Sequence, residues 1–177
     1  MTQPNQHQST DWNDRFLHLF EKCALLYRRG NHDFASYYDG ADVDLLDEIG
    51  YAPREFFDFV EDFCDHATPT PGTALLIAAV RRDYFQVVMN GEPGSRSIRS
   101  GDVPPRDAVL SGIPYLPRIL AKARAKLRGD LHPDLMFGCG GDRRFLRDHG
   151  GIHPADFLRR VWAADDDDGK IVDWLAP

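Results

Sequence analysis

A glycine-rich turn in the second half of the chain holds a cysteine and an aspartate. The turn reads Phe-Gly-Cys-Gly-Gly-Asp, with the thiol at Cys139 and the carboxylate at Asp142, and it precedes a segment that we predict to be helical. A thiol at a helix N-terminus with arginines nearby can have a lowered pKa and act as a nucleophile. The alternative is structural: the glycines form a tight turn, Asp142 caps the helix and Cys139 fills space. The sequence leaves both interpretations open.

A basic stretch precedes this turn and contains Arg118, Lys122 and Arg124. If these three side chains meet the backbone amides of Gly140 and Gly141, they would form a pocket for a carboxylate or a phosphate. The simpler expectation is a salt bridge from Lys122 or Arg118 to Asp142. The basic stretch therefore predicts either an anion-binding pocket or an internal ion pair.

Two histidines, His132 and His149, flank the turn and could carry protons if the site is catalytic. The catalytic candidates are then Cys139, Asp142 and His149, and His132 joins the candidates for ligand binding. The spacing of the histidines and cysteines matches no zinc pattern, and the glycines form neither a P-loop nor a dinucleotide fingerprint. We therefore expect no metal and no cofactor.

The segment around this turn has a counterpart earlier in the chain. At an offset of about 100 residues several residue types are identical, namely Lys22/Lys122, Arg28/Arg128, His32/His132, Gly40/Gly140, Asp42/Asp142 and Leu46/Leu146. One inserted glycine later, Pro53 matches Pro154. Asp39 stands where the second copy has Cys139, so chemistry that needs the thiol belongs to one copy alone. The pattern indicates one helical unit used twice.

Apolar residues at helical spacing in both copies predict an all-α fold of two pseudo-symmetric units packed into one globule. The predicted organisation is a disordered tail (1–10), a first helical repeat (11–91), a linker (92–105) and a second repeat (106–177). Asp11 would cap the first helix. The predicted helices are Trp12–Arg29, Asp42–Ile49, Pro53–His66, Thr73–Met89, Tyr115–Arg128, Asp142–His149, Pro154–Ala163 and Gly169–Leu175.

Composition narrows the class of protein. The net charge is −7, which disfavours nucleic-acid binding because that requires phosphate neutralisation by lysine and arginine. Three cysteines, an odd number in no metal-type pair, favour a reducing compartment. The N-terminus lacks the profile of a signal peptide, and the longest apolar run, Ala74–Val80, is too short to cross a bilayer. We expect a cytoplasmic protein without a membrane partner.

From Arg106 to the C-terminus the chain resembles DUF5069, a bacterial family of uncharacterised proteins. The resemblance rests on the run Leu-Ser-Gly-Ile-Pro-Tyr-Leu-Pro-Arg ending at Arg118, on a Cys-x-x-Asp-x-x-Phe-Leu loop beginning at Cys139, and on the acidic-then-Trp-Leu end, Asp165–Leu175. It implies an all-α fold and no particular reaction. The first half would be a diverged copy.

Each recurring polar residue has a cap or salt-bridge explanation, and no complete catalytic set is left over. The leading hypothesis is therefore a non-enzymatic cytoplasmic protein, monomer or homodimer, that binds a small anionic ligand or a protein partner. Its ligand-binding candidates are Arg118, Lys122, Arg124, His132, Gly140 and Gly141. The alternative is a small enzyme acting on an anionic small molecule, with Cys139 in the glycine-rich loop at a helix N-terminus.

Overall fold

The structure, a computed structural model, describes residues 12–176. Within this range the fold is helical apart from one two-stranded antiparallel hairpin. The elements are α1 (Trp12–Arg28), a 3-10 turn (Phe34–Ser36), α2 (Gly40–Glu48), α3 (Pro53–His66), α4 (Pro71–Val87), β1 (Val109–Leu110), β2 (Ile113–Pro114), α5 (Leu116–Arg128), α6 (Gly140–Asp148), α7 (Pro154–Ala164) and α8 (Asp168–Leu175). The expectation of a largely all-α fold is confirmed. The predicted disordered tail and the Asp11 cap lie outside the described residues.

Local signals in the sequence account for where these helices begin and end. α3 begins with Pro53, whose missing N–H costs nothing in the first turn. α4 begins after Thr70, whose hydroxyl accepts a hydrogen bond from the Thr73 amide at 3.2 Å. α5 ends at Gly129, which adopts a left-handed conformation (φ 71°) that glycine reaches without a steric penalty. Each boundary satisfies backbone groups that the helix end leaves open.

The caps of α2 and α6 differ from the prediction. Asp142 was expected to cap α6, but it lies three residues after the cap, which is Cys139. Its counterpart Asp42 likewise lies three residues after Asp39, the cap of α2. The two helices begin earlier than predicted because the glycines adopt helical geometry from Gly40 and Gly140 onward. In α2, Asp39 and Asp42 form a reciprocal capping box. In α6 the thiol makes no capping hydrogen bond, and the Asp142 carboxylate is directed elsewhere.

Helix α4 connects the two halves of the chain. It packs against α1 on one side and against α5 and α7 on the other. Its buried residues include Ala74, Ile77 and Ala78, and the apolar core continues without interruption from Phe16 to Ile171. Burial of this apolar surface is the main favourable contribution to folding. It also fixes the position of α5, which carries much of the candidate site.

The segment between α4 and β1, which contains the predicted linker, is attached to the second half. The Ile98 amide donates to the Asp130 carbonyl at 2.7 Å, and the His132 amide donates to the Ile98 carbonyl at 3.0 Å. Further along, Arg118 Nη1 donates to the Pro104 carbonyl at 2.8 Å. The segment therefore lies against the loop that follows α5 and against α5 itself.

Candidate functional site

The N-terminus of α6 and the middle of α5 meet at a buried ion pair. Lys122 Nζ lies 2.6 Å from Asp142 Oδ2 and 2.8 Å from Asp142 Oδ1. The lysine residue is 2 % exposed and the aspartate 0 %. The salt bridge expected from the sequence is thus present. Lys122 is buried because the Phe137–Cys139 loop and α6 cover this side of α5.

The Asp142 carboxylate is fully hydrogen-bonded. Besides Lys122, it accepts from the Tyr115 hydroxyl at 2.8 Å and from the Gly138 amide at 2.8 Å. A buried carboxylate requires such donors, since leaving it unpaired would cost several kcal/mol. Burial and the negative charge of Asp142 both raise the pKa of Tyr115, so its phenol stays neutral and donates. Asp142 therefore holds the surrounding loop in place. Because its oxygens already accept these hydrogen bonds, it is poorly suited to take a proton from a substrate.

Cys139 lies beside this ion pair and is partly exposed. Its Sγ accepts a hydrogen bond from Lys122 Nζ at 3.3 Å. The residue occupies the cap position of α6, where the helix dipole favours negative charge. The thiol thus has one cation in contact and one face open to solvent. This arrangement is compatible with a nucleophilic or redox-active sulfur.

The other predicted ligand-binding cations point to different elements. Arg118 is directed to the segment before β1, where its Nη2 contacts Ser100 Oγ at 3.3 Å. Arg124 is directed to the loop before α8, donating to the Asp165 carbonyl at 3.1 Å and pairing with Asp168 at 2.6 Å. These two arginines and Lys122 therefore do not converge on the amides of α6.

The two candidate histidines also lie apart. His132 Nδ1 lies 2.9 Å from Asp134 Oδ1, in the loop after α5. His149 follows α6, with its ring stacked on Phe145 at a centroid distance of 4.1 Å. Its Nδ1 lies 2.8 Å from the Phe145 carbonyl oxygen. Because a carbonyl only accepts, Nδ1 must carry the proton, which leaves Nε2 available as an acceptor or a second proton site.

A cavity of about 290 Å³ lies next to this buried ion pair and shares Tyr115 with it. Its lining comprises Arg106, Tyr115, Gly141, Arg144, Phe145, Asp148 and His149. The lining therefore combines the rings of Tyr115 and Phe145 with two arginines, one histidine and one aspartate. Within the described part of the chain neither arginine of this cavity has a carboxylate partner. The cavity thus contains two residues that were predicted for the site, Gly141 and His149, together with residues that were not predicted for it.

Tyr115 and Arg144 were not predicted as site residues, and the structure shows why. Tyr115 lies before α5 with a left-handed backbone (φ 72°), which aims its ring at α6. A bulky residue in that conformation is uncommon, and nothing in the local sequence predicts it. Arg144 is one of two adjacent arginines in α6, and only the helix orientation separates it from Arg143, which pairs with Asp62 at 2.7 Å.

The first half of the chain has a similar contact without a thiol. Lys22 Nζ lies 2.5 Å from Asp42 and 3.0 Å from Asp39, the residue that caps α2. Here the lysine side chain is 40 % exposed. The ion pair therefore occurs in both halves, but in one it lies at the surface and in the other it is buried beside Cys139.

Comparison with protein families supports the resemblance seen in the sequence. Residues 102–177 match the family described as "Domain of unknown function (DUF5069)", a range that contains the buried ion pair, Cys139 and the whole cavity. No curated protein and no solved structure matches the chain.

The described residues contain neither a membrane-spanning helix nor a metal-binding group of side chains. No helix within residues 12–176 has the length and apolar character needed to cross a membrane. Over the same range no three histidine, cysteine or acidic side chains gather as a metal-binding group.

Proposed function

We propose that this is a non-enzymatic cytoplasmic protein that binds a small anionic ligand in the cavity between Tyr115, Phe145 and His149. The observation that carries the proposal is the pair of arginines, Arg106 and Arg144, on the wall of that cavity. Arginine is well suited to carboxylates and phosphates because its planar guanidinium forms paired hydrogen bonds with them. In the cytoplasm, three free cysteines would remain reduced.

The neighbouring ion pair supports a binding role. Lys122, Asp142 and Tyr115 satisfy one another, so they hold α5, α6 and the cavity wall in a fixed relationship. A site on rigid elements loses less entropy when it binds a ligand. The ligand would contact the outer surface of this framework, at the arginines and at His149.

We also propose that the two halves are diverged copies of one helical unit. The order α1–α2–α3 parallels α5–α6–α7, and a lysine-to-aspartate contact joins the first two helices of each set. Superposing α1–α3 on α5–α7 tests this idea: the Cα atoms of Lys22 and Asp42 should fall on those of Lys122 and Asp142. A poor overlay would contradict it.

Mass spectrometry of the natively purified protein is the first test of ligand binding, since it would detect a co-purifying small molecule. The second is a thermal-unfolding titration with inorganic phosphate and with citrate. We expect an anion to raise the midpoint of the wild type, and the double substitution Arg106→Ser with Arg144→Ser to abolish the rise. The matched control is Arg147→Ser, which removes an exposed arginine of α6 that lies outside the cavity lining.

An equal response of the double variant and the control would contradict binding at this cavity. Sustained turnover of any substrate that is lost on mutation of Cys139 or Asp142 would contradict the non-enzymatic part of the proposal.

A second candidate function follows from the contact between Lys122 and Cys139. The Cys139 thiol is partly exposed and accepts a hydrogen bond from the buried Lys122 ammonium. A thiol in this environment is expected in a thiol-dependent enzyme that acts on an anionic small molecule. Cys139 is not part of the cavity lining, so the substrate would extend from the arginines and His149 in the cavity past Gly141 to the thiol, with His149 carrying the proton. Turnover that Cys139→Ser abolishes and Cys64→Ser preserves would establish this candidate.

A further inference from the structure

A second cavity, away from α6, contains a buried arginine that forms no ion pair with any residue that the structure describes. Arg81 lies in the middle of α4 and only 1 % of it is exposed. Arginine is almost never fully buried unless it is paired, because removing its charge from water is costly. The environment of Arg81 therefore requires an explanation that helix packing alone does not provide.

The hydrogen bonds of the Arg81 guanidinium are incomplete. Nη1 has a single weak acceptor, the Met89 thioether sulfur at 3.5 Å, and Nε has no partner among the described residues. No carboxylate within residues 12–176 forms an ion pair with it. Burial lowers the pKa of Arg81, and Glu55, the acid that opposes this most, is already bound to Lys126 at 2.5 Å. Among the described residues the positive charge is thus left without an ion-pair partner, and the buried Asp130 acts on it only through its charge, without a hydrogen bond.

Two glycines make room for this guanidinium. Gly50 follows α2 and Gly129 follows α5, both with a left-handed backbone (φ 69° and 71°). A Cβ at Gly50 would lie 2.9 Å from Arg81 Nη2, and one at Gly129 would lie 2.5 Å from it. Any other residue at either position would both strain the backbone and displace the arginine. The two turns therefore leave the guanidinium in contact with bare backbone.

Arg81, Gly50 and Gly129 line a cavity of about 580 Å³. Tyr51 and Phe85 contribute aromatic surface to the same cavity. Tyr51 is 3 % exposed, and its hydroxyl, like Arg81 Nε, is a buried polar group with no hydrogen-bond partner among the described residues. Two buried donors that lack acceptors in one cavity wall indicate a missing acceptor, since such groups are rarely left unsatisfied.

We propose that this cavity is a binding site for a small aromatic monocarboxylate, held by Arg81 and Tyr51. A carboxylate matches the planar guanidinium and carries one negative charge, which one arginine can neutralise. A phosphate monoester would bring a second charge into a cavity that also contains Asp47. An aromatic body suits the rings of Phe85 and Tyr51.

This site is independent of the proposed function. It involves α2, α4 and the ends of α3 and α5, and it shares no residue with the cavity at α6. Arg81 and Tyr51 also precede residue 102, where the match to the DUF5069 family begins.

The test uses benzoate as the probe, with benzamide as its neutral analogue and phenyl phosphate as the dianion. At about 10 mM, near saturation for a ligand of millimolar Kd, we expect benzoate to raise the thermal-unfolding midpoint of the full-length protein and benzamide to leave it unchanged. Arg81→Met should remove the rise. The matched control is Arg82→Met, because Arg82 is the adjacent arginine but contacts Asp83 and the Trp12 ring instead. Tyr51→Phe, which keeps the ring, should weaken benzoate binding about tenfold, a typical loss for one hydrogen bond.

The variant with both Arg106→Ser and Arg144→Ser should keep the full response to benzoate, which separates this site from the cavity at α6. If Arg81→Met does not fold, Tyr51→Phe supplies the decisive measurement. No protection of the wild type by benzoate, or equal protection of wild type and Tyr51→Phe, would overturn the proposal. A stronger response to phenyl phosphate than to benzoate would overturn the assignment to a carboxylate.

Discussion

Lys122 and Asp142 form a buried ion pair at 2.6 Å, whereas Lys22 and Asp42 form a similar pair with the lysine side chain 40 % exposed. The same two residue types are thus in contact in both halves of the chain, in two different dielectric environments. Surface pairs contribute little to stability, while breaking a buried pair leaves an uncompensated charge.

The first prediction compares these two pairs. Lys122→Met should lower the free energy of unfolding by about 3–5 kcal/mol, because Asp142 remains buried without its cation. Lys22→Met should lower it by less than about 1 kcal/mol. Urea unfolding followed by circular dichroism measures both. Similar losses in the two variants would contradict the difference in environment.

The second prediction concerns the glycines of α6. A Cβ at Gly141 would lie 2.9 Å from the Tyr115 hydroxyl oxygen, so Gly141→Ala should displace that hydroxyl from Asp142. We expect a loss of about 1–3 kcal/mol in the free energy of unfolding, as for other overpacking substitutions. Gly140→Ala is the control, since its Cβ would meet only the flexible end of Arg143 at 3.8 Å. The control should be unchanged or slightly more stable, because alanine favours a helix over glycine. A loss beyond about 0.5 kcal/mol in the control would argue against this steric explanation.

The third prediction concerns pH. Burial raises the pKa of Asp58 to about 7, an effect that the nearby Arg54 guanidinium opposes and that Glu61 and Glu55 reinforce. In the unfolded chain an aspartate titrates near 3.9, so between these values the folded state holds a proton that the unfolded state has released. The contribution of Asp58 to the free energy of unfolding is therefore largest below about pH 4 and is lost as the pH rises toward 7.

Asp58→Asn should remove that contribution to the pH dependence. The wild type should lose up to about 4 kcal/mol more than the variant between pH 4 and pH 8, as measured by urea unfolding at each pH. The comparison between the two proteins cancels the titration of the other carboxylates. Parallel pH profiles would show that Asp58 is ionised in the folded protein at neutral pH.

The fourth prediction is an order of thiol labelling. Burial raises the pKa of Cys23 to about 12 and also raises the pKa of Cys64. Cys139 is partly exposed and its sulfur contacts Lys122. At neutral pH in the native protein an aromatic disulfide reagent should therefore label Cys139 first, then Cys64, and Cys23 only on unfolding. Peptide mapping identifies the labelled positions, and Cys139→Ser should remove the fastest phase. Labelling of Cys139 only after unfolding would assign it to the packed interior.

Much of the helical architecture was predictable from local sequence. Apolar residues at helical spacing, together with Pro53, Pro154 and Gly129, mark where helices begin and end, because these signals act within a few residues of the chain. The salt bridge between Lys122 and Asp142 was also expected, since a basic helix precedes an acidic helix start. The DUF5069 resemblance, read from motifs in the second half, agrees with the family match over residues 102–177.

Other features depended on the packing of distant segments. Periodicity identifies the apolar face of α5, but it does not reveal that α6 and its loop cover Lys122 on another face. Nor does it reveal that Arg118 and Arg124 turn to opposite ends of the helix, toward a segment before β1 and toward α8. These directions are set by contacts between residues far apart in sequence.

Arg81 shows most plainly what could not be predicted from local sequence. In the sequence it is one of two arginines that end an apolar run, and nothing local separates it from Arg82. Helix α4 packs against α1, α5 and α7, and this packing turns Arg81 inward toward Gly50 and Gly129. The chain alone thus determined which segments are helical, although the boundaries of α2, α4 and α6 differ by about two residues from those predicted. Tertiary structure decided which charged side chains are buried, because burial requires a second element to cover the first.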